Sequence, residues 1–382
     1  MTTRMTSRFP PPLPRGAPLR CLMAAALLVA GSWAACGNAS QQRGDSAPAA
    51  GGASSATASE MPRSAGEAPS SPIAGVNAPS EDAPSGTAAA LPAVRVLLDD
   101  VSPEPASWSP DGSQIVADDQ DLLGLRIVPS AGGAARALSE EPLHNEPEWS
   151  PSGGMIAFVD KAGGTLSVIP SGGGPAKALA KGAIEGYQAP WSPDGGRLLF
   201  QKDGGLAVVE VASGATRILV PAEGDAPPLV AARWSPDGER IIVQRRREIL
   251  IVPAAGGPAQ VVAGLQGRSP ALGPDGALWV IGDGPARPLI RRAGETTGEA
   301  GGLGGAVSSF DIDATSGRIA VAVEGRGMLV LPAGGGAAWR LTDGAGDHSP
   351  RWSPGGGAVA FVRPGGEHGL QLCVVDVRRD LP

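Results

Sequence analysis

Few side chains in this chain could do chemistry, and they are grouped. The sequence has three histidines and one tyrosine. Two of the histidines and the tyrosine stand with other polar groups, as His144-Asn145-Glu146, Tyr187-Gln188, and Asp347-His348 followed by Arg351. Each group falls shortly before a tryptophan, Trp149, Trp191 or Trp352. Tyr and Arg anchor interfaces more often than most residues, so these positions point to contact with a partner or ligand.

Other candidates read as structure. Asp311-Ile312-Asp313 begins like a calcium loop, but Gly317 comes one position too late for one. Gly301-Gly302-Leu303-Gly304-Gly305 has neither the preceding strand nor the following helix of a phosphate cradle. Cys373 lies in an apolar strand and reads as an inert core thiol. Arg245-Arg246-Arg247 belongs to a basic sector, 233–292, that holds nine Arg against five acids. It fits a solvated turn, or a contact for anionic lipid heads or an acidic partner. The formal charge of the whole chain is -7, which excludes a general nucleic-acid binder.

The elements that position these groups are repeats. Trp-Ser-Pro-Asp-Gly begins at Trp108, Trp191 and Trp234, with variants at Trp149 and Trp352 and weaker copies at Leu272 and Ile312. The intervals run from 38 to 43 residues. A period near 40 marks propeller blades or helical arrays. Strands are chosen because short apolar runs such as Ile115-Val116-Ala117, Ile156-Ala157-Phe158-Val159 and Val359-Ala360-Phe361-Val362 follow the motif between glycine clusters. A second series, Gly132, Gly173, Gly214, Gly256, Gly294 and Gly335, marks another hairpin in each unit.

Each unit therefore reads as four strands. The seventh lacks its last strand near the C-terminus, and Ala93–Leu98 copies the missing one. The expected fold is all-β: a seven-bladed β-propeller of four-stranded blades over 92–382, its ring closed by an N-terminal strand. Within the motif, Pro fixes φ and Asp and Gly complete a type I turn, so the recurrent carboxylates are turn chemistry. The recurrent Trp is read as packing between blades. Residues just before the Trp should gather at one mouth of the channel, which makes His144, Asn145, Glu146, Tyr187, Gln188, Asp347, His348 and Arg351 the candidate binding set.

WSPDG with an Ile/Val-rich strand and a Gly-Gly hairpin resembles the TolB-like propeller repeat, and is similar to the propellers of prolyl oligopeptidases. No GxSxG nucleophile elbow accompanies it. The resemblance implies a non-catalytic scaffold that engages an envelope protein or envelope polysaccharide without a cofactor, as a monomeric propeller. Some oligogalacturonate lyases share this propeller type and hold a metal through channel histidines. That implies an alternative, a metal-dependent carbohydrate-active enzyme with His144, Glu146, Gln188 and His348 as ligands.

The N-terminal region reads as an address. Arg4, Arg8, Arg15 and Arg20 precede the apolar run Cys21–Ala35, the pattern of a secretory signal over 1–35. Trp33-Ala34-Ala35-Cys36-Gly37 resembles a bacterial lipobox, with Trp33 where Leu, Val or Ile is usual. The resemblance implies lipidation of Cys36 and a place in the cell envelope, at the outer membrane. Residues 36–91 are an Ala/Ser/Pro/Gly tether too poor in apolar groups to fold, with a root-mean-square reach of ~40 Å.

Overall fold

A computed structural model describes residues 90–377, apart from 104–105, 120–123, 140–143, 161–162, 184–189, 225, 295, 301–302, 334–336 and 366–368. The chain divides into two units, Met1–Gly66 and Glu67–Pro382, and every described residue belongs to the second. The expected signal, Cys36 and nearly all of the tether lie outside the described residues.

The repeat motif builds its turn from its own side chains. In Ser109-Pro110-Asp111-Gly112, the Gly112 amide donates to the Ser109 carbonyl at 2.8 Å, and Gly112 takes φ 71°, a conformation that favours glycine. The Ser109 hydroxyl donates to Asp111 Oδ1 at 2.6 Å and accepts the Gln114 amide at 2.9 Å. Asp111 Oδ1 also accepts the Ser113 amide at 3.0 Å. The bond from Ser109, with those from Ser113, holds the Asp111 carboxyl down to about 2. Ser192 with Asp194 and Ser235 with Asp237 repeat the arrangement.

These turns join the inner strand of a blade to its second strand. Blade two shows the pattern in full: His144–Trp149, Met155–Asp160, Thr165–Pro170 and Lys177–Lys181, all antiparallel and in sequence order. Seven such sheets form the ring. In the third, the inner edge is represented among the described residues by Trp191, bridged to Leu198. The seventh sheet runs Val94–Asp99, Gly369–Asp376, Ala358–Gly365, His348–Trp352. The N-terminal strand therefore closes the ring as expected, with Val94 opposite Val375 and Val96 opposite Cys373. Arg95 seals it with two bonds to Asp376.

Packing between blades explains the sequence of the middle strands. Leu198 and Phe200 face blade two, whereas Leu199 on the same strand faces blade four. A strand buried on both faces needs apolar residues at successive positions, and this strand reads Leu-Leu-Phe. Seven hydrophobic clusters result, one between each pair of neighbouring blades, including blades seven and one.

The motif tryptophans complete the junctions. The indole N–H of Trp191 donates to the Glu148 carbonyl at 3.0 Å, that of Trp234 to Pro190 at 3.1 Å, and that of Trp352 to Asp311 at 3.2 Å. Trp108 reaches Arg351 at 3.1 Å across the point of ring closure. In every case the acceptor immediately precedes the motif position in the preceding blade. Arg197 and Arg318 cover the Trp234 and Trp352 rings at 4.8 and 4.9 Å, a cation–π contact that adds to the burial.

Candidate functional site

The inner strands carry a feature that aims their side chains. Glu146, Ala231, Ser269 and Ser349 have φ between 51° and 55°, and each stands three residues before a motif position. The ladder slips at the same place, between Asn145 and Glu148, Val230 and Arg233, Arg268 and Ala271, and His348 and Arg351. Such a bulge bends its strand and redirects the side chains beyond it. Here the residue immediately before the motif position faces the axial channel.

Around the ring those residues are Ser107, Glu148, Pro190, Arg233, Ala271, Asp311 and Arg351. All seven line one cavity of about 640 Å³, rimmed by the motif tryptophans and prolines. Two of the seven hold the next blade. Ser107 Oγ accepts the Trp149 amide at 2.9 Å, and Asp311 Oδ2 accepts the Trp352 amide at 2.8 Å. Glu148 is one methylene longer than Asp, and among the described residues its carboxylate makes no equivalent bond.

The four charges alternate in sign around the channel: Glu148, Arg233, Asp311, Arg351. Arg351 and Asp311 are adjacent, with Nη1 and Oδ1 3.8 Å apart. Burial pushes the Glu148 carboxyl up against the opposing pull of Arg351 and Arg233. It pushes Asp311 up in the same way, opposed first by Arg351. Arg233 is lowered to about 10, by burial first and the nearby Arg351 second. The side chains are half-buried, so charge in this channel is costly and ligand charges count.

Those residues proposed from sequence that are described lie at two ends of the inner strands. Arg351 lies in the cavity just described. His348 starts the strand that Trp352 ends, and its Nδ1 donates to the Gly346 carbonyl at 2.9 Å. Asp347 is buried where blade six meets blade seven: Arg363 of blade seven binds both carboxylate oxygens at 2.7 and 2.8 Å, and Thr342, bonded to the Met328 strand of blade six, donates at 2.5 Å. Glu146 is the buried bulge residue of blade two. His144 and Asn145 begin that strand, opposite Asp160 and Val159. Their side chains, and Tyr187 and Gln188 entirely, lie outside the described residues. Among the described residues, no three His, Cys, Asp or Glu converge in a group that could hold a metal.

Three further sequence readings can be placed. Asp313, in the calcium-like stretch, accepts the Thr315 amide at 3.0 Å and pairs with Arg318 at 3.2 Å, so it serves as the turn residue of blade six. Arg245 and Arg247 of the basic hairpin reach Glu223 and Asp283, each at 3.1 Å. The Cys373 thiol is fully buried and pushed up to about 11 by burial.

Glu148 and Arg233 were absent from the sequence-based set. A signal existed, because both are charged residues immediately before a motif tryptophan, closer to it than the histidines. In blades two, four, five and seven the bulge precedes that position, and its Glu, Ala and Ser residues carry no mark of a left-handed backbone.

No family model and no curated protein matches this chain. Among solved structures it is similar to an oligogalacturonate lyase from Vibrio parahaemolyticus, at 12% identity and a TM-score of 0.60, covering 77% of this chain and 100% of that one. An oligogalacturonate lyase in complex with manganese gives 12% and 0.59, covering 75% and 91%. A protein described as TolB from Agrobacterium tumefaciens gives 19% and 0.44, covering 72% and 90%. At these identities the likeness to the lyases is one of fold, the β-propeller.

Proposed function

We propose that this chain is an exported envelope lipoprotein, anchored through Cys36, whose propeller is a non-catalytic scaffold that binds its partner at the motif-tryptophan mouth of the channel. The observation that carries the reading is the set Glu148, Arg233, Asp311 and Arg351 inside one cavity. Asp311 also holds the next blade, but Ser107, Pro190 and Ala271 show that small or apolar residues suffice at that position, and half-buried charge is retained at a cost in stability. The leader, the lipobox-like junction and the long tether support a domain held away from a membrane to meet another envelope component. An envelope protein or polysaccharide is the partner class.

The test is affinity capture from envelope extracts with the full-length chain and with a Glu148→Gln, Arg233→Gln, Arg351→Gln variant. The wild type should retain a partner that the variant loses although its melting temperature is no lower. Equal capture by both overturns the reading. So does a stoichiometric transition metal in the purified chain that is lost with His348→Ala, which favours the metal-dependent enzyme.

A further inference from the structure

The four channel charges are unequal in their partners. Arg351 and Asp311 sit on adjacent blades, 3.8 Å apart, and Asp311 also holds the Trp352 amide. Glu148 and Arg233 sit two blades apart, with Pro190 between them at the same position. Proline offers no amide hydrogen and no polar side chain, so nothing at that position bridges the two. Among the described residues, the Glu148 carboxylate accepts no hydrogen bond and enters no ion pair. The Arg233 guanidinium makes one hydrogen bond, to its neighbour's carbonyl, Ala232 O, at 3.1 Å, and no ion pair. Both nevertheless line the same cavity.

We propose that Glu148 and Arg233 are the two poles of a receptor for a zwitterionic ligand of the amino-acid or short-peptide class, its ammonium on Glu148 and its carboxylate on Arg233. The inference rests on the mouth being the recognition face and adds the chemistry it recognises. A single anion would meet Arg233 and be repelled by Glu148, and a single cation the reverse. A ligand with both signs meets both groups, each of which is half removed from water and, among the described residues, feels only the longer-range pull of the other channel charges rather than a direct ion pair. The cavity, about 640 Å³, has room for several residues of peptide. Trp149, Trp191 and Trp234 flank the two poles, so occupancy should alter tryptophan fluorescence.

Titration of the full chain with alanine, dialanine and trialanine, read by fluorescence and calorimetry, tests this. At least one should bind, and the length that binds best separates a free amino acid from a peptide. N-acetylation or C-amidation of that probe should each weaken binding at least tenfold. Glu148→Gln should remove the penalty for acetylation and keep that for amidation, and Arg233→Gln should do the converse. Penalties unchanged by either substitution, or no binding by any of the three probes, overturn the proposal. If the probes fail while the triple variant still loses its envelope partner, the zwitterion falls and the mouth stands. If the capture also fails, both fall.

Discussion

A glutamate that makes no bond to a neighbouring side chain can be tested by its effect on stability. The Glu148 carboxyl is pushed up by burial, so the folded protein holds a proton that the unfolded chain releases near the ordinary carboxylate range. Between those two values the folded state binds more protons, and stability falls as pH rises. Asp311 adds to the same slope. Asp111, Asp194 and Asp237 are held down by their turn bonds and act in the opposite sense, losing stability as pH falls. Glu148→Gln should therefore flatten the decline above the carboxylate range and leave the acid limb unchanged, as measured by denaturant unfolding from about pH 2 upward. An identical profile would mean that Glu148 is solvated as in water. The turn residues were legible in sequence because serine, proline, aspartate and glycine each have one strong local use. Glu148 was not, because its environment is assembled by Arg233, Asp311 and Arg351 from three other blades.

Strands and junctions were legible where the repeat is faithful. Trp108, Trp191, Trp234 and Trp352 each bond to the blade before, and the strand at 94–99 takes the place left open in blade seven. Trp149 is the exception that repetition does not reveal: its indole turns to its own Gly153 carbonyl, at 3.0 Å. The weak repeats show what the tryptophan contributes. Where Leu272 replaces it, a gap of about 120 Å³ opens between blades four and five, lined by Arg240, Ile242, Ile251 and Leu278 among others. Arg240, the counterpart of Arg197 and Arg318, has no ring to cover. Leu272→Trp should fill this gap and bring an indole toward the Arg233 carbonyl, raising stability by about 1 to 2 kcal/mol and the melting temperature with it. A lower melting temperature would show that the junction has closed too far to admit the ring.

At the scale of the molecule, seven junctions hold a ring whose axis is lined by seven residues, of which Ser107 and Asp311 also bond to the next blade. The middle strands carry the burial and the turns carry the geometry, which leaves the position before each tryptophan open to differ. It reads Ser, Glu, Pro, Arg, Ala, Asp and Arg around the ring. A constant frame with a variable lining is the arrangement that the proposed recognition at the tryptophan end of the channel would use. Site-specific photocrosslinking tests that placement most directly. A photoreactive residue replaces either Pro236, exposed at the tryptophan mouth, or Ala345, exposed in the loop that feeds the inner strand at His348. In intact envelopes, position 236 should capture the partner and position 345 should not. Capture from position 345 alone would contradict the account and move recognition to the histidine end.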